Sequence, residues 1–230
     1  MDMNTDTEKM ASARKSLEYV KDGMIVGLGS GTTATFAIRF LGEQVRDGLK
    51  IRGLPTSRAS GELARSLNIP LTSFDEVAYT DVTIDGADEV DPSLALIKGG
   101  GGALLHEKIV ASASRFLVIV ADEHKMVQRL GRFPLPVEVI PFAATPVKHR
   151  LVDLGAKPVL RLRPDKSPYI TDEGNFIFDC HYEQIMDTAT VANAIKSITG
   201  VVEHGLFLGL ASVVVVAGPD GAKIVTATRS

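Results

Sequence analysis

Met24-Ile25-Val26-Gly27-Leu28-Gly29-Ser30-Gly31-Thr32-Thr33-Ala34-Thr35-Phe36-Ala37 is the stretch from which the fold can be read. Met24 to Leu28 is a short apolar run suited to a buried strand. It passes into the glycine-rich stretch Gly27 to Gly31. Thr32 or Thr33 then opens a helix whose Phe36, Ala37, Phe40 and Leu41 share one face. A strand, a tight turn and a helix in that order begin a βαβ unit, and the sequence on either side extends the pattern.

Upstream, apolar positions from Lys9 to Val20 fit a helix ended by Lys21-Asp22-Gly23. Downstream, strands are expected at Ile51 to Leu54, Asp81 to Ile84 and Phe116 to Val120. Helices are expected at Ser60 to Leu67 and from about Ala103 to Arg115. Strands alternating with helices of this length predict an α/β domain built on a parallel sheet with both faces covered. The pattern changes at Gly131-Arg132-Phe133-Pro134-Leu135-Pro136. From there to about His204, short strands (Val137 to Ile140, Pro158 to Leu162, Phe176 to Asp179) mix with helices (Ala144 to Leu154, Thr190 to Ile198), as in a smaller inserted α+β domain. Ser212 to Ala217 and Lys223 to Val225 flank the turn Gly218-Pro219-Asp220-Gly221 and return the chain to strand. The expected organisation is residues 1–131 plus 205–230 as the larger domain and 132–204 as the smaller. No internal repeat or low-complexity linker interrupts it.

The 230 residues suffice for a full core without disulfides or structural metals. A net charge of −3 gives no electrostatic footprint for nucleic acid or an anionic membrane. The most apolar run, Leu206 to Ala217, is broken by Gly209 and Ser212 and is too short to span a bilayer. A polar, partly acidic Met1 to Met10 argues against a secretory signal. Cys180 is the single cysteine and is expected as a half-buried thiol near a strand end, in a reducing, cytoplasmic setting.

In open α/β sheets ligands sit beyond the carboxyl ends of the strands, and three unusual clusters fall at such ends. Ser30-Gly31-Thr32-Thr33 offers free backbone N–H groups and small hydroxyls at a helix start, which suits a phosphate; a plain tight turn with a capping hydroxyl is the alternative. It is neither a P-loop, since no Lys-Ser/Thr pair ends it, nor a dinucleotide fingerprint, since Thr32 stands where the third glycine belongs. Asp85-Gly86-Ala87-Asp88-Glu89-Val90-Asp91 crowds four carboxylates, which must be solvated, metal-bound or given separate tasks. For Glu89 and Asp91 a solvated acidic turn is expected, while Asp85 and Asp88 sit at the strand end itself. Mg²⁺ on one or two of these carboxylates stays open. Lys98-Gly99-Gly100-Gly101-Gly102 is costly to order and fits a backbone that approaches a ligand, with Lys98 as a cation beside it. Glu107 falls in about the first turn of the next helix, either facing the same pocket or serving the helix dipole. Lys125, after the strand from Phe116, is either an anion-neutralising group or a surface lysine. The five histidines lack metal-ligand spacing and carry no assignment.

Together these segments resemble the type A, metal-independent ribose-5-phosphate isomerases. The motifs that carry the resemblance are Gly27 to Ala34, Asp85 to Glu89, Ile97 to Gly101 with Glu107-Lys108-Ile109, and Phe133-Pro134-Leu135-Pro136-Val137-Glu138. It continues through Gly174-Asn175, Gly200-Val201-Val202 and Gly205-Leu206-Phe207, and the chain departs at Arg58, where some members carry an acidic residue. The resemblance implies a Rossmann-like domain with a smaller α/β domain, a homodimer or homotetramer, a sugar-phosphate substrate, and no metal or cofactor. It implies Glu107 as the proton acceptor and substrate contacts at Lys9, Ser30, Gly31, Thr32, Thr33, Asp85, Gly86, Ala87, Asp88, Lys98, Gly99, Gly100, Gly101 and Lys125. The residue chemistry adds Lys98 with nearby backbone N–H groups as oxyanion donors and Asp85 as the acid/base for ring opening. The alternatives are a transferase or hydrolase with Mg²⁺ at Asp85 and Asp88, and a phosphosugar sensor without turnover.

Overall fold

The computed structural model describes residues 3–227. Helix α1 (Met3–Ser16) runs through a short 3-10 turn into β1 (Ile25–Leu28), α2 (Thr32–Arg46), β2 (Arg52–Pro55) and α3 (Arg58–Ser66). Then follow β3 (Val82–Gly86), β4 (Glu89–Val90), β5 (Leu96–Ile97), α4 (Leu104–Ser112) and β6 (Leu117–Asp122). The next stretch holds β7 (Leu135–Val139), α5 (Ala144–Asp153), β8 (Lys157–Leu160), β9 (Phe176–His181), α6 (Thr188–Lys196) and β10 (Val201–His204). The chain returns through β11 (Leu206–Phe207), β12 (Val213–Gly218) and β13 (Gly221–Val225).

The main sheet has the order β13-β12-β6-β3-β1-β2, with every pairing parallel except the β12–β13 hairpin at its edge. Its middle strands are buried throughout: Leu117 to Val120 and Val214 to Val216 are at most 1 % exposed. Each such side chain contributes roughly 1.5–3 kcal/mol of burial. The near-continuous apolar strands thus reflect a sheet covered on both faces, as the alternating pattern predicted.

From β1 the chain crosses to β2 on one side and later to β3 on the other, so the strand order reverses at β1. That switch point opens a crevice beyond the carboxyl ends of β1 and β3. The two strands approach closely there because Gly29 has no side chain: a Cβ would stand 2.4 Å from Asp85 Oδ1. Hence the glycine-rich turn after β1 and the acidic turn after β3 lie side by side.

Residues 135–204 supply an antiparallel sheet of order β10-β7-β9-β8. Its core, around Leu135, Val137, Leu151, Phe178 and Ile195, also takes in Ile97, Leu130 and Leu206 from outside that stretch. The two halves therefore share apolar packing. A third, small sheet, β11-β5-β4, sits between them and anchors the turn at Lys98.

Several local expectations need correction. Helix α1 begins at Met3 rather than near Lys9, because the polar run Asn4 to Glu8 leaves no apolar period to read. Strands β4, β5, β10 and β11 are not legible in the sequence; two or four residues long, they take their form from pairing, β5 with β11 and β10 with β7 far along the chain and β4 with its near neighbour β5. Cys180 is fully buried inside β9, and burial pushes its thiol up. Glu89 is 1 % exposed rather than solvated, and its carboxylate accepts from the N–H groups of Gly131 and Phe133 at 2.7 Å each. It ties the acidic turn to the proline-marked junction. Asp91 does form a local turn, accepting from the N–H groups of Ser93 and Ala95. No helix among the described residues is long and apolar enough to cross a membrane.

Candidate active site

The crevice at the switch point is a cleft of about 470 Å³. Lys9, Ser30, Gly31, Thr32, Thr33, Gly86, Ala87, Asp88, Lys98, Gly99, Gly100, Gly101, Glu107 and Lys125 all line it. Of the positions expected from sequence, only Asp85 does not; it is 1 % exposed behind the wall.

One end of the cleft is the N-terminus of α2. Gly31 is the N-cap, with φ of +88°, and no side chain caps the helix. The capping-hydroxyl alternative is therefore not realised, and the first N–H groups of α2 point their partial positive charge into the cleft. Ser30 is held from behind: its hydroxyl donates to Ser57 Oγ at 2.8 Å and lies 2.8 Å from Thr56 Oγ1. Ser57 is itself fixed by a capping box with Ser60 at the start of α3. Arg58 turns away from the cleft, its N–H donating to Asp172 Oδ2 at 2.9 Å.

The other end is a buried cluster of charge. Lys98 Nζ lies 3.1 Å from Asp85 Oδ2 and 3.4 Å from Glu107 Oε2, and donates to the carbonyl of Gly86. All three side chains are at most 4 % exposed. Asp85 Oδ1 accepts from the N–H groups of Ser30 (3.0 Å) and Gly86 (2.7 Å), so this carboxylate joins the two loops to the lysine. Asp88 faces the cleft, and its Oδ2 accepts from the Gly100 N–H at 2.8 Å. Glu107 lies in the first turn of α4, but Ala103 is the N-cap and no side-chain bond caps that helix. Its Oε2 is buried and accepts no hydrogen bond, despite the nearby ammonium.

Burial pushes the Glu107 carboxyl up to about 7, with Lys98 pulling it down and Asp85 and Asp88 pushing it up. Burial alone would lower the Lys98 ammonium, but Asp85, Glu107 and Asp88 outweigh it and hold the group above its ordinary value. The cluster therefore presents a permanent cation beside a carboxylate that exchanges a proton near neutrality. Lys108, the next residue, faces away: Nζ donates to Glu203 Oε1 at 2.8 Å, and the Phe207 ring lies 5.0 Å from this ammonium and 5.5 Å from that of Lys98.

Asp122, His124, Arg132, Phe133 and Pro134 also line the cleft, although the sequence reading assigned them nothing. Asp122 and His124 follow β6, so the strand-end rule that selected Lys125 applied to them as well. Arg132 to Pro134 follow no parallel strand, and Phe133 and Pro134 stand out in the sequence only as part of the junction and of a family motif, with no site role attached. They arrive because Glu89 holds their backbone and Arg132 Nη2 donates to the His124 carbonyl at 2.9 Å.

A doubly wound sheet with an anion-accepting helix end and a near-neutral carboxylate beside a buried ammonium defines a class, the proton-transferring enzymes of small anionic substrates. Comparison with known proteins narrows it. The family model for ribose 5-phosphate isomerase A (phosphoriboisomerase A) matches residues 52–221. Ribose-5-phosphate isomerase A of Nitrobacter hamburgensis is 50 % identical over 229 residues, covering 97 % of this chain and 99 % of the relative. The solved structure of ribose 5-phosphate isomerase A from Methanocaldococcus jannaschii aligns with a TM-score of 0.92 and 41 % identity, covering 96 % of this chain and 99 % of that one. A D-ribose-5-phosphate isomerase in complex with phospho-erythronic acid aligns with a TM-score of 0.94 and 39 % identity, covering 97 % and 100 %. The chain belongs to the ribose 5-phosphate isomerase A family.

Proposed function

We propose that this chain interconverts D-ribose 5-phosphate and D-ribulose 5-phosphate through a cis-enediolate, the isomerisation step of the non-oxidative pentose phosphate pathway. The observation that carries the reading is Glu107, a buried carboxylate at the cleft whose Oε2 accepts no hydrogen bond and lies 3.4 Å from the Lys98 ammonium, and whose proton affinity is raised to about 7. Such a base takes the C2 proton and returns it to C1 on the same face, contributing ~10²–10⁴-fold.

Lys98 supplies the electrostatics. When Glu107 accepts the proton it becomes neutral, and the negative charge passes to the enediolate oxygens. The ammonium between Asp85 and Glu107 then has the new oxyanion as its partner. The net charge around Lys98 is unchanged by the step, so little reorganisation is needed. Gly99 to Gly101 border the same space, and since the Gly100 N–H is taken by Asp88, the backbone donors assigned to the oxyanion are those of Gly99 and Gly101.

The phosphate is assigned to Ser30, Gly31, Thr32 and Thr33 at the start of α2, with Lys9 and Lys125 as flanking cations. Binding at that far end positions C1 and C2 against Glu107. Gly86, Ala87 and Asp88 take the sugar hydroxyls. Ring opening was expected of Asp85, but its burial and its bonds to Ser30, Gly86 and Lys98 suit a carboxylate that fixes the lysine. The proposal gives ring opening to Asp88, which faces the cleft. Mg²⁺ on Asp85 and Asp88 would have to displace these same bonds, which favours the isomerase over a metal-dependent transferase.

The reading treats residues 1–131 with 205–230 as the catalytic domain and 132–204 as a second domain joined to it by shared core. It also places the enzyme in the cytoplasm and makes it a homodimer or homotetramer, an assembly state that light scattering on purified protein tests. Phe142, 97 % exposed, and Met186 are apolar surface that a second copy would cover. The deciding experiment is turnover of ribose 5-phosphate by EDTA-treated protein. Activity restored only by Mg²⁺ would sink the reading, and so would equal turnover of free ribose.

A further inference from the structure

The run Gly99 to Gly102 borders the cleft, yet four consecutive glycines are the least self-ordering stretch a chain can have. What orders them comes from the four-stranded half. Arg161, just after β8, donates from Nη1 to the carbonyls of Gly99 (2.9 Å) and Gly100 (3.1 Å). Tyr169 donates its hydroxyl to the carbonyl of Gly101 at 3.3 Å. The opposite edge of the guanidinium is bound by Asp179 on β9, with Nε to Oδ2 at 2.9 Å and Nη2 to Oδ1. Tyr169 is tied to Arg161 in turn, since its N–H donates to the Arg161 carbonyl at 2.9 Å. Neither Arg161 nor Tyr169 lines the cleft.

A planar trans peptide points its C=O and the following N–H in opposite directions. Holding the Gly99 carbonyl therefore aims the Gly100 N–H, which meets Asp88 Oδ2 at 2.8 Å. Holding the Gly100 carbonyl aims the Gly101 N–H away from Arg161 in the same manner. Holding the Gly101 carbonyl aims the Gly102 N–H, which donates to the Gly99 carbonyl at 3.0 Å and closes the turn. The Gly100 N–H is thereby turned to Asp88 at the cleft, whereas the Gly102 N–H stays inside the turn.

We propose that Arg161, backed by Asp179 and assisted by Tyr169, is a positioning residue that orients the Gly99 to Gly101 peptides and Asp88 for the enediolate without touching substrate. The inference rests on the isomerase reading above. It gives the four-stranded half a task in the chemistry: a planar fork that donates to two carbonyls and to both oxygens of one carboxylate, four bonds where a lysine has three donors.

The test compares Arg161→Ala, Arg161→Lys, Tyr169→Phe and the control Arg163→Ala in ribose 5-phosphate turnover, each checked by thermal melting. Arg161→Ala is expected to lower kcat about 10- to 100-fold, the scale of a small misplacement of catalytic groups. KM should change less than about threefold, because the α2 terminus is untouched. Arg161→Lys and Tyr169→Phe should fall between it and the wild type, and Arg163→Ala should match the wild type. Affinity for phospho-erythronic acid, whose carboxylate mimics the enediolate oxygens, should weaken in step with kcat, whereas affinity for inorganic phosphate should not. Millimolar guanidinium should partly restore Arg161→Ala. If that variant does not fold, Arg161→Lys and Tyr169→Phe decide the matter by the same kcat and inhibitor measurements. A wild-type kcat in folded variants overturns the clamp alone. A melting point lowered with no change in kcat shows a merely structural role and also overturns it. Wild-type protein inactive on ribose 5-phosphate overturns both the clamp and the functional reading.

Discussion

The parallel sheet and the four-stranded sheet meet the cleft in different ways. Strands β1, β3 and β6 deliver side chains and helix ends directly to it, because their carboxyl ends all point to one edge. The antiparallel strands β7 to β10 deliver none; the connection between β8 and β9 binds other loops from behind, as Arg161 does at Gly99 and Asp172 does at Arg58. A parallel sheet gathers its loops at one end, whereas an antiparallel sheet divides them between two. Chemistry therefore concentrates on the first and support on the second.

Glu107→Gln probes the chemical half and carries the largest expected effect. It keeps the size of the side chain but removes the base, so kcat should fall ~10²-fold or more, about 3 kcal/mol of barrier, with binding retained. Exchange of the C2 proton with deuterated solvent should disappear together with turnover. A folded variant with wild-type turnover would move the base elsewhere and break the comparison at its centre.

Lys98→Ala should come close behind. Two buried carboxylates lose their cation, which costs roughly 3–5 kcal/mol in stability. With Lys98 gone, the pull that lowers Glu107 is gone too. The acid limb of kcat/KM, expected near pH 7 in the wild type, should move to higher pH. An unshifted limb would show that another group sets the profile.

The Glu107 titration also has a sign in stability. Its folded pKa, about 7, lies above the ordinary carboxylate value, so the folded protein holds a proton that the unfolded chain releases between about pH 4.5 and 7. That contribution is present in acid and lost as pH rises through 7. The melting temperature of Glu107→Gln relative to the wild type should therefore rise between pH 5 and pH 8. A constant difference would mean that Glu107 titrates normally.

Glu89→Ala tests the seam between the halves. It strands two backbone N–H groups, and a cost of about 1–3 kcal/mol is expected in denaturant unfolding. Arg58→Ala should have the smallest effect, under about 1 kcal/mol, since Arg58 is 77 % exposed and its ion pair with Asp172 spans 3.8 Å. A larger loss there would mean that the contact governs how the two halves sit.

Much of this was legible in the sequence. Alternating apolar strands and amphipathic helices reveal the parallel sheet, because burial on both faces demands apolar runs. The Gly29 to Thr33, Asp85 to Asp88 and Lys98 to Gly101 segments stand out, because functional loops use residue types that regular structure avoids. What the sequence left undecided depended on partners far along the chain. Asp85 and Asp88 are equivalent as letters, and only their neighbours separate a carboxylate sealed against Lys98 from one open to the cleft. Glu89 reads as another acid in a turn until the backbone of Gly131 and Phe133 closes over it. Arg161 follows a short strand with no motif of its own, and its part emerges only when the Gly99 and Gly100 carbonyls arrive within 2.9 and 3.1 Å. Local pattern fixes which segments fold and which loops are exceptional, since propensity and burial act over neighbouring residues. Desolvation and hydrogen bonding set proton affinity and orientation, and those act through space, so tertiary structure alone decided them.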